Sequence, residues 1–409
     1  MNRTVPLKWY RCPLCNSSEF EIVYVNPDAP VTVSPELLLC DVMTSICARC
    51  GLVQSNPRPS PRFINRIYKS SPSRMELEEL QSRLPKLKGR ALAIREEQAS
   101  YIDRVLNLPK DALILDIGCN NGVMLSILKR RGYNTWGIEP DLALAAQAQK
   151  LNGNIITAFY QNFDFPPGSF DVITAFHVLE HIHDPRSFLR KARRELKPDG
   201  HLVIEVPDLS NPNTARLDDY FNVQHIFNFT PTSLSAMLEA VGFEPVGLLK
   251  FSYHSFRIIA RKASRRKRLA NNTEEIEHAK RIIQAYKVKR IQTLESIAKA
   301  IYERLQNLKP REPVVVWGAG KHAYDLLRLT PLCEHPELLF VDSNPKTHKA
   351  GFMGLPVFCP DELPKIDPKL VVISSYMFQR EIESSLRDMG FEGEKVLKLY
   401  DEVRTYDGA

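Results

Sequence analysis

Short apolar runs alternate with helically spaced segments through the middle of the chain. The runs "ALILDIG" (112–118), "NTWGIEP" (134–140), "FDVITAF" (170–176) and "HLVIEVP" (201–207) each have strand length and end in, or break into, polar or turn residues. Between them, "GVMLSILKRRG" (122–132), "LALAAQAQKL" (142–151) and "PRSFLRKARRELKPDG" (185–200) carry apolar residues at helical spacing and stop at Gly or Pro-Asp-Gly. Strands alternating with helices predict an α/β fold, a mostly parallel sheet covered on both faces. In such a sheet the ligand sits beyond the C-terminal ends of the strands. The pattern changes at both ends of this block. Residues 1–68 are rich in Cys and Pro with little helical periodicity; 69–260 hold the alternation after a helical lead-in. Residues 261–309 read as a charged helical segment packed between domains, and 310–409 return to strand–helix alternation.

At 409 residues the chain is long enough for two or three domains. Its 44% hydrophobic and 25% charged residues are ordinary for a globular protein. No apolar run approaches the ~20 residues needed to cross a bilayer, and the first residues lack the apolar core of a secretory leader. The expectation is a cytoplasmic protein without a membrane partner, with monomer and dimer both open. Much of the net charge of +7 lies in "ARKASRRKRLANN" (260–272). That run reads as a solvated linker. A nucleic-acid contact would need basic residues interleaved with aromatics, which are absent there.

Five of the eight cysteines lie in the first 50 residues. Cys12-Pro-Leu-Cys15 and Cys47-Ala-Arg-Cys50 form two Cys-x-x-Cys knuckles about 31 residues apart, spacing that brings four thiolates to one structural Zn²⁺. Cys40 is left over and reads as a small buried residue.

The segment "LDIGCNNG" puts Asp116, Gly118, Asn120 and Gly122 where a strand turns into a helix, a turn at which backbone can approach a ligand. About 20 residues on, Glu139-Pro140 ends the next strand, where an acidic group grips the two hydroxyls of a ribose. Together with "FDVITAFHVLEHIHDP" and "LKPDGHLVIEVP", these segments resemble the class I S-adenosylmethionine-dependent methyltransferases. The resemblance implies that Asp116 and Gly118 frame the methionine end of S-adenosylmethionine and that Glu139 holds its ribose. It implies adenine contacts at Asn162 and Phe163, and a floor beneath the sulfonium that includes Phe176 and His177.

Knuckles before such a core, and a second nucleotide-type fold after it, resemble the zinc-containing sugar C-methyltransferases of deoxysugar biosynthesis. The implied fold is a small N-terminal zinc-binding domain, a central Rossmann-like methyltransferase domain and a C-terminal Rossmann-like α/β domain. The implied acceptor is a sugar or nucleotide sugar. In that family a Glu-His pair flanked by aromatics serves as general base. Here "YFNVQHIFNFT" (220–230) offers Gln224-His225. His225 keeps the imidazole. Gln224 removes the carboxylate that would strengthen it. The family's tyrosine two residues earlier is Asn222 here, with Tyr220 nearby. The departure weighs against carbanion chemistry and leaves O-methylation open. Candidate catalytic residues are thus His225, Gln224 and Tyr220. Tyr68, His181, Asn222 and Asn228 are candidate acceptor contacts, with the surrounding aromatics as walls for a sugar and His181 and His177 as competing bases.

Near the C-terminus, "VVVWGAGKHA" places Gly318, Gly320 and Ala323 in a G-x-G-x-x-A turn, and Asp342 follows about 20 residues on. Read alone this is a dinucleotide fingerprint and keeps an NAD-dependent sugar-modifying enzyme open. The resemblance instead assigns this domain to the substrate. An RNA methyltransferase remains the reading that the knuckles and the basic run would favour.

Overall fold

The computed structural model describes residues 5–33, 37–70, 85–251, 255–264, 267, 271–376 and 378–400; within 67–70 and 85–91 it describes backbone alone. The N-terminal segment forms a long antiparallel hairpin, β1 (Phe20–Thr32) and β2 (Leu38–Cys47), extended by the short β3 (Val53–Ser55). Helix α1 (Pro61–Ser70) comes next.

The central segment opens with helix α2 (Pro85–Leu106). It continues through β4 (Leu113–Ile117), α3 (Val123–Arg130), β5 (Asn134–Ile138), α4 (Leu142–Asn152), β6 (Ile155–Ile156), β7 (Phe170–Phe176), α5 (Pro185–Glu195) and β8 (Leu196–Pro207). After a long loop come β9 (Phe227–Asn228), α6 (Pro231–Val241), β10 (Phe243–Lys250) and β11 (Ser255–Lys262). The central sheet has the order β10-β11-β8-β7-β4-β5-β6; β4 to β8 run parallel, and β11 and β10 close one edge antiparallel. From β4 the chain goes to β5 on one side and later to β7 on the other, so the switch point lies between β4 and β7. A crevice opens at the C-terminal ends of those strands. Ile114, Leu115, Val172, Ile173, Leu202 and Val203 are fully buried, as expected of strands covered on both faces.

Helix α7 (Thr273–Leu305) is one continuous 33-residue helix. Its first half packs Ala279, Ile283 and Tyr286 into the core of the β1–β2 hairpin. Its second half packs Ile297 and Ile301 with β12 (Val314–Trp317) of the last sheet. That sheet is parallel, in the order β14 (Val357–Phe358), β13 (Leu338–Val341), β12, β15 (Leu370–Ile373), β16 (Val396–Lys398), with helix α8 (Lys321–Leu329) after β12.

Two features were invisible along the chain. The N-terminal sheet takes its fourth strand from outside residues 1–68, because β9 pairs with β3 through Val53–Asn228 and Gln54–Phe227. The aromatics expected to wall a sugar are instead core. Phe221, Phe227 and Phe229 are each 1% exposed or less, and Phe227 and Phe229 stack at 5.9 Å. The Tyr220–Leu234 stretch is therefore apolar because it joins the N-terminal sheet to the central one. No described helix is long and apolar enough to cross a membrane.

Candidate active site

A cavity of about 560 Å³ opens over the C-terminal ends of β4, β5 and β7, a size typical of small-molecule sites. Its rim near the first turn holds Ile117, Gly118 and Asn120, with Glu139 and Pro140 beside them. Gly118 has φ 71°, which favours glycine, and a Cβ there would sit 2.7 Å from Val178 Cγ2 and have to displace that methyl. Asn120 adopts φ 53°, and its N–H donates to Glu139 Oε2 at 3.0 Å; Asp141 N–H donates to Oε1, also at 3.0 Å. Glu139 is 3% exposed and held in one orientation by two amides. A carboxylate accepts hydrogen bonds at both oxygens, the chemistry that suits a pair of vicinal hydroxyls.

Phe159, Tyr160, Gln161 and Asn162 also line the cavity, as do Pro61, Ile64 and Asn65 of α1. Phe176 and His177 line the floor. His177 stands in a left-handed conformation at φ 55°, uncommon for a residue with a Cβ. Its Nε2 lies 3.2 Å from Glu205 Oε1 and its Nδ1 3.5 Å from Glu180 Oε1. Burial opposes the charge on this ring. The two carboxylates outweigh it and push the imidazole up to about 10. Glu205 is in turn paired with Arg257, which is fully buried at 2.6 Å and stacked among Tyr101, Phe176 and Phe251.

Several expected residues fall elsewhere. Asp116 does not line the cavity; it is 4% exposed and accepts from Thr174 Oγ1 at 2.6 Å. Its carboxyl is pushed up to about 6, chiefly by burial. Gly122 also lies off the cavity. Its glycine serves helix packing, since a Cβ would meet Ala148 Cα at 2.9 Å. Phe163 turns away and packs edge-on to Phe165 at 4.8 Å.

The acceptor candidates divide in the same way. His181 lines the cavity, and its Nδ1–H donates to the Gln224 carbonyl at 2.9 Å. His225 stands beside it, with ring centroids 5.0 Å apart. Asn222 is spent on its own loop: Oδ1 accepts from Gln224 N–H (3.0 Å) and His225 N–H (3.1 Å), and Nδ2 donates to the Tyr220 carbonyl (3.2 Å). It shapes the turn that presents His225 rather than offering atoms to an acceptor. Asn228 is 3% exposed inside β9. The Tyr220 hydroxyl is buried, and burial and the nearby Asp208 and Glu180 hold it neutral. The backbone of Tyr68 lies in α1; its side chain is outside the described residues. Sequence reasoning missed Glu180, whose only signal was its place in "VLEH".

The four knuckle cysteines come together. Cys12 Sγ lies 3.5 Å from Cys50 Sγ, Cys15 Sγ lies 3.4 Å from Cys47 Sγ, and all four sulfurs are within 4.8 Å of one another. Four converging thiols, three of them buried, fit a closed tetrahedral Zn²⁺ site. Gly51 comes next at φ 79°, where a Cβ would meet Glu275 Cγ of α7 at 2.7 Å.

The basic run turns to acidic neighbours where it is described: Arg261 pairs with Glu244 and Lys267 with Glu239, each at 3.0 Å. In the C-terminal domain, Ala319 N–H and Asn344 N–H donate to the Asp342 carboxylate at 2.8 Å each.

Residues 90–248 match the profile of a methyltransferase domain family. Ubiquinone biosynthesis O-methyltransferase from Pseudomonas aeruginosa is 38% identical over 126 residues, 29% of this chain and 53% of the relative. The enzyme of that name from Pseudomonas syringae is 30% identical over 141 residues, 33% of this chain and 60% of the relative. The mitochondrial one from Schizosaccharomyces pombe is 28% identical over 127 residues, 29% and 45%. The chain spans about half the length of the curated relatives it matches. Among solved structures, the 1,6-didemethyltoxoflavin-N1-methyltransferase of Burkholderia thailandensis aligns at TM-score 0.39 and 19% identity, over 52% of this chain and 96% of that one. Profile and sheet order agree that the central segment, within residues 90–248, has the class I methyltransferase-domain fold.

Proposed function

We propose that the protein transfers the methyl group of S-adenosylmethionine to a hydroxyl of a sugar, carried on a nucleotide. The observation that carries this reading is the cavity itself: Glu139 stands at one end with both oxygens fixed, and His181 lines it with His225 alongside. A bound sulfonium supplies an already reactive methyl. The protein's part is to align the acceptor, exclude water and take one proton. Glu139 orients the ribose, Gly118 gives backbone access and Asn162 borders the base. The His181–His225 pair takes the acceptor proton. Pro61, Ile64 and Asn65, from α1 of the N-terminal segment, line the cavity, and zinc at Cys12, Cys15, Cys47 and Cys50 holds that segment without entering the chemistry.

Support for a sugar acceptor is the order of parts, a four-cysteine unit, a methyltransferase core and a second nucleotide-type domain, which resembles the sugar methyltransferases. Support for oxygen as the atom methylated is Gln224, neutral where those enzymes carry Glu, and the relatives named O-methyltransferases over 29% of this chain. The test is incubation of the zinc-loaded chain with methyl-labelled S-adenosylmethionine and a panel of nucleotide sugars, with products resolved by mass and NMR. An O–CH₃ product is expected. A C–CH₃ product corrects the atom methylated, and turnover on quinols alone replaces the sugar. His225→Ala and His181→Ala are expected to abolish turnover while keeping S-adenosylhomocysteine binding. Full activity in both removes the pair from the mechanism.

A further inference from the structure

Sequence comparison leaves the imidazole at 225 without an acid, yet a carboxylate stands beside it from another part of the chain. Glu180 lies on the short turn Leu179–His181 that follows β7, and is 1% exposed. Neither of its oxygens accepts an ordinary hydrogen bond. Its close polar neighbours are imidazoles: Oε1 is 3.5 Å from His177 Nδ1 and 3.5 Å from His181 Nε2. One ligand-type atom each of Glu180, His181 and His225 lies within 4.8 Å of the others. A buried carboxylate with no partner would be protonated. Burial does press in that direction, but His181, His177 and His225 together hold Glu180 down at about 2, so it is an anion at neutral pH. The other ionisable groups here are Tyr220 with Asp208 behind it on the acceptor-loop side, and Glu205 with Arg257 on the β8 side, the latter pair engaged with each other and with His177.

We propose that Glu180 is a positioning residue for the proton acceptor. It supplies, across space, the negative charge that Gln224 does not. His181 Nδ1 must carry hydrogen, because it faces a carbonyl, and its Nε2 faces Glu180, so a proton taken up by the His181–His225 pair creates its positive charge beside that carboxylate. When the acceptor O–H bond breaks and the new O–CH₃ bond forms, the proton goes to the imidazole, the C–S bond electrons stay on sulfur, and the resulting imidazolium sits against a fixed anion. Three neighbours also share one carboxylate, so His177 holds it from the floor side while His181 and His225 draw on it from the acceptor side.

This inference rests on the reading of the cavity as a methyl-transfer site, and its test is kept separate from that reading. Full-length, zinc-loaded protein with ¹³C-labelled histidine is titrated by NMR as wild type, Glu180→Gln and Glu180→Gln/Gln224→Glu. S-adenosylhomocysteine binding is measured in parallel by calorimetry. Removing an opposite charge at this range is expected to lower the titration midpoints of the His181 and His225 rings by about one unit or more. Returning a carboxylate at 224 is expected to restore the His225 midpoint, with S-adenosylhomocysteine affinity within about twofold throughout. Unchanged midpoints in Glu180→Gln overturn the proposal. So does a shift of the wild-type His181 and His225 resonances that saturates with one equivalent of Mg²⁺, Mn²⁺ or Zn²⁺ beyond the structural site, since Glu180 is then a metal ligand. If Glu180→Gln does not fold, Glu180→Asp keeps the charge but withdraws it by one methylene. Lower midpoints there support the role and unchanged ones overturn it. Failure of the wild type to bind S-adenosylhomocysteine would refute the cavity assignment and leave the titration result standing.

Discussion

The central and C-terminal domains repeat one device and spend it differently. In each, a glycine turn after the first strand meets an acidic residue at the end of the second. That carboxylate takes one amide from the turn and one from two residues beyond itself: Asn120 and Asp141 onto Glu139, Ala319 and Asn344 onto Asp342. The residues after the neighbouring strand then decide the outcome. Beyond β7 come His177 and His181, which line an open cavity, and the buried Glu180 beside both. Beyond β15 come Ser374 and Tyr376. There His322 is bonded to Ser374 Oγ at 3.1 Å and to Tyr400, and the Tyr376 and Tyr400 rings meet edge-on at 4.9 Å. The Tyr400 hydroxyl also accepts from Leu217 N–H at 3.0 Å, while Arg290 of α7 donates to the Leu217 carbonyl at 3.0 Å. The second domain thus directs its strand ends at the loop that carries His225. A dinucleotide fingerprint in sequence specifies the turn and the acid; it does not specify what fills the space above them.

The largest expected effect tests the turns. Gly318 at φ 112° has no room for a Cβ, which would fall 2.7 Å from the Ser374 carbonyl oxygen. At Gly118 the obstacle is a Val178 methyl, which can move. Gly318→Ala is expected to cost about 3 kcal/mol and Gly118→Ala roughly half of that, read by denaturant unfolding; equal costs would erase this difference between the turns. Next comes Glu139→Ala against Asp342→Ala. Loss of two hydrogen bonds to a charged group is expected to weaken S-adenosylhomocysteine binding on the order of 30-fold for the first, with no change for the second. Calorimetry showing equal losses would make both domains cofactor sites. Tyr400→Phe leaves the Leu217 amide without its partner and is expected to cost about 1–2 kcal/mol of stability. Hydrogen exchange should show the loss at 214–219 and not in α3.

The smallest effect is on pH. His322 is depressed to about 4, mainly by burial, whereas its unfolded value lies near 6.5. A depressed histidine leaves the unfolded chain binding more protons, so its contribution falls as pH drops from 6.5 through 4. Asp325, raised to about 6 chiefly by burial, works in the opposite direction in the same domain. The difference between wild type and His322→Asn isolates the histidine and is expected to shrink across that window. His177 has the reverse sign. Raised to about 10, its contribution is complete below about 6.5 and is lost as pH rises through 10, so His177→Gln should matter least in alkali. Thermal melts from pH 4 to 10 on both variants would show whether the two domains respond oppositely.

The strand–helix alternation, the first turn, Glu139 and the four cysteines were legible because each is a local pattern of fixed period or spacing, and periodicity comes from backbone geometry. The roles of Gly122, Asn222 and Phe163 were not. A glycine or asparagine near a motif looks the same whether it faces a ligand, packs a helix or ties its own loop. The acceptor stretch shows this most clearly. Its aromatics suggested a sugar pocket, yet Phe227 and Phe229 fill the junction between two sheets. Its Gln224 suggested a base without an acid, yet Glu180 stands there from 44 positions earlier. Local patterns along the chain specify the strand–helix alternation and the residue types able to carry chemistry; which of those residues meet is set by packing. Electrostatic coupling depends on distance through a low-dielectric interior, and that distance is set by the packing of β7 against the loop before β9, not by separation along the chain.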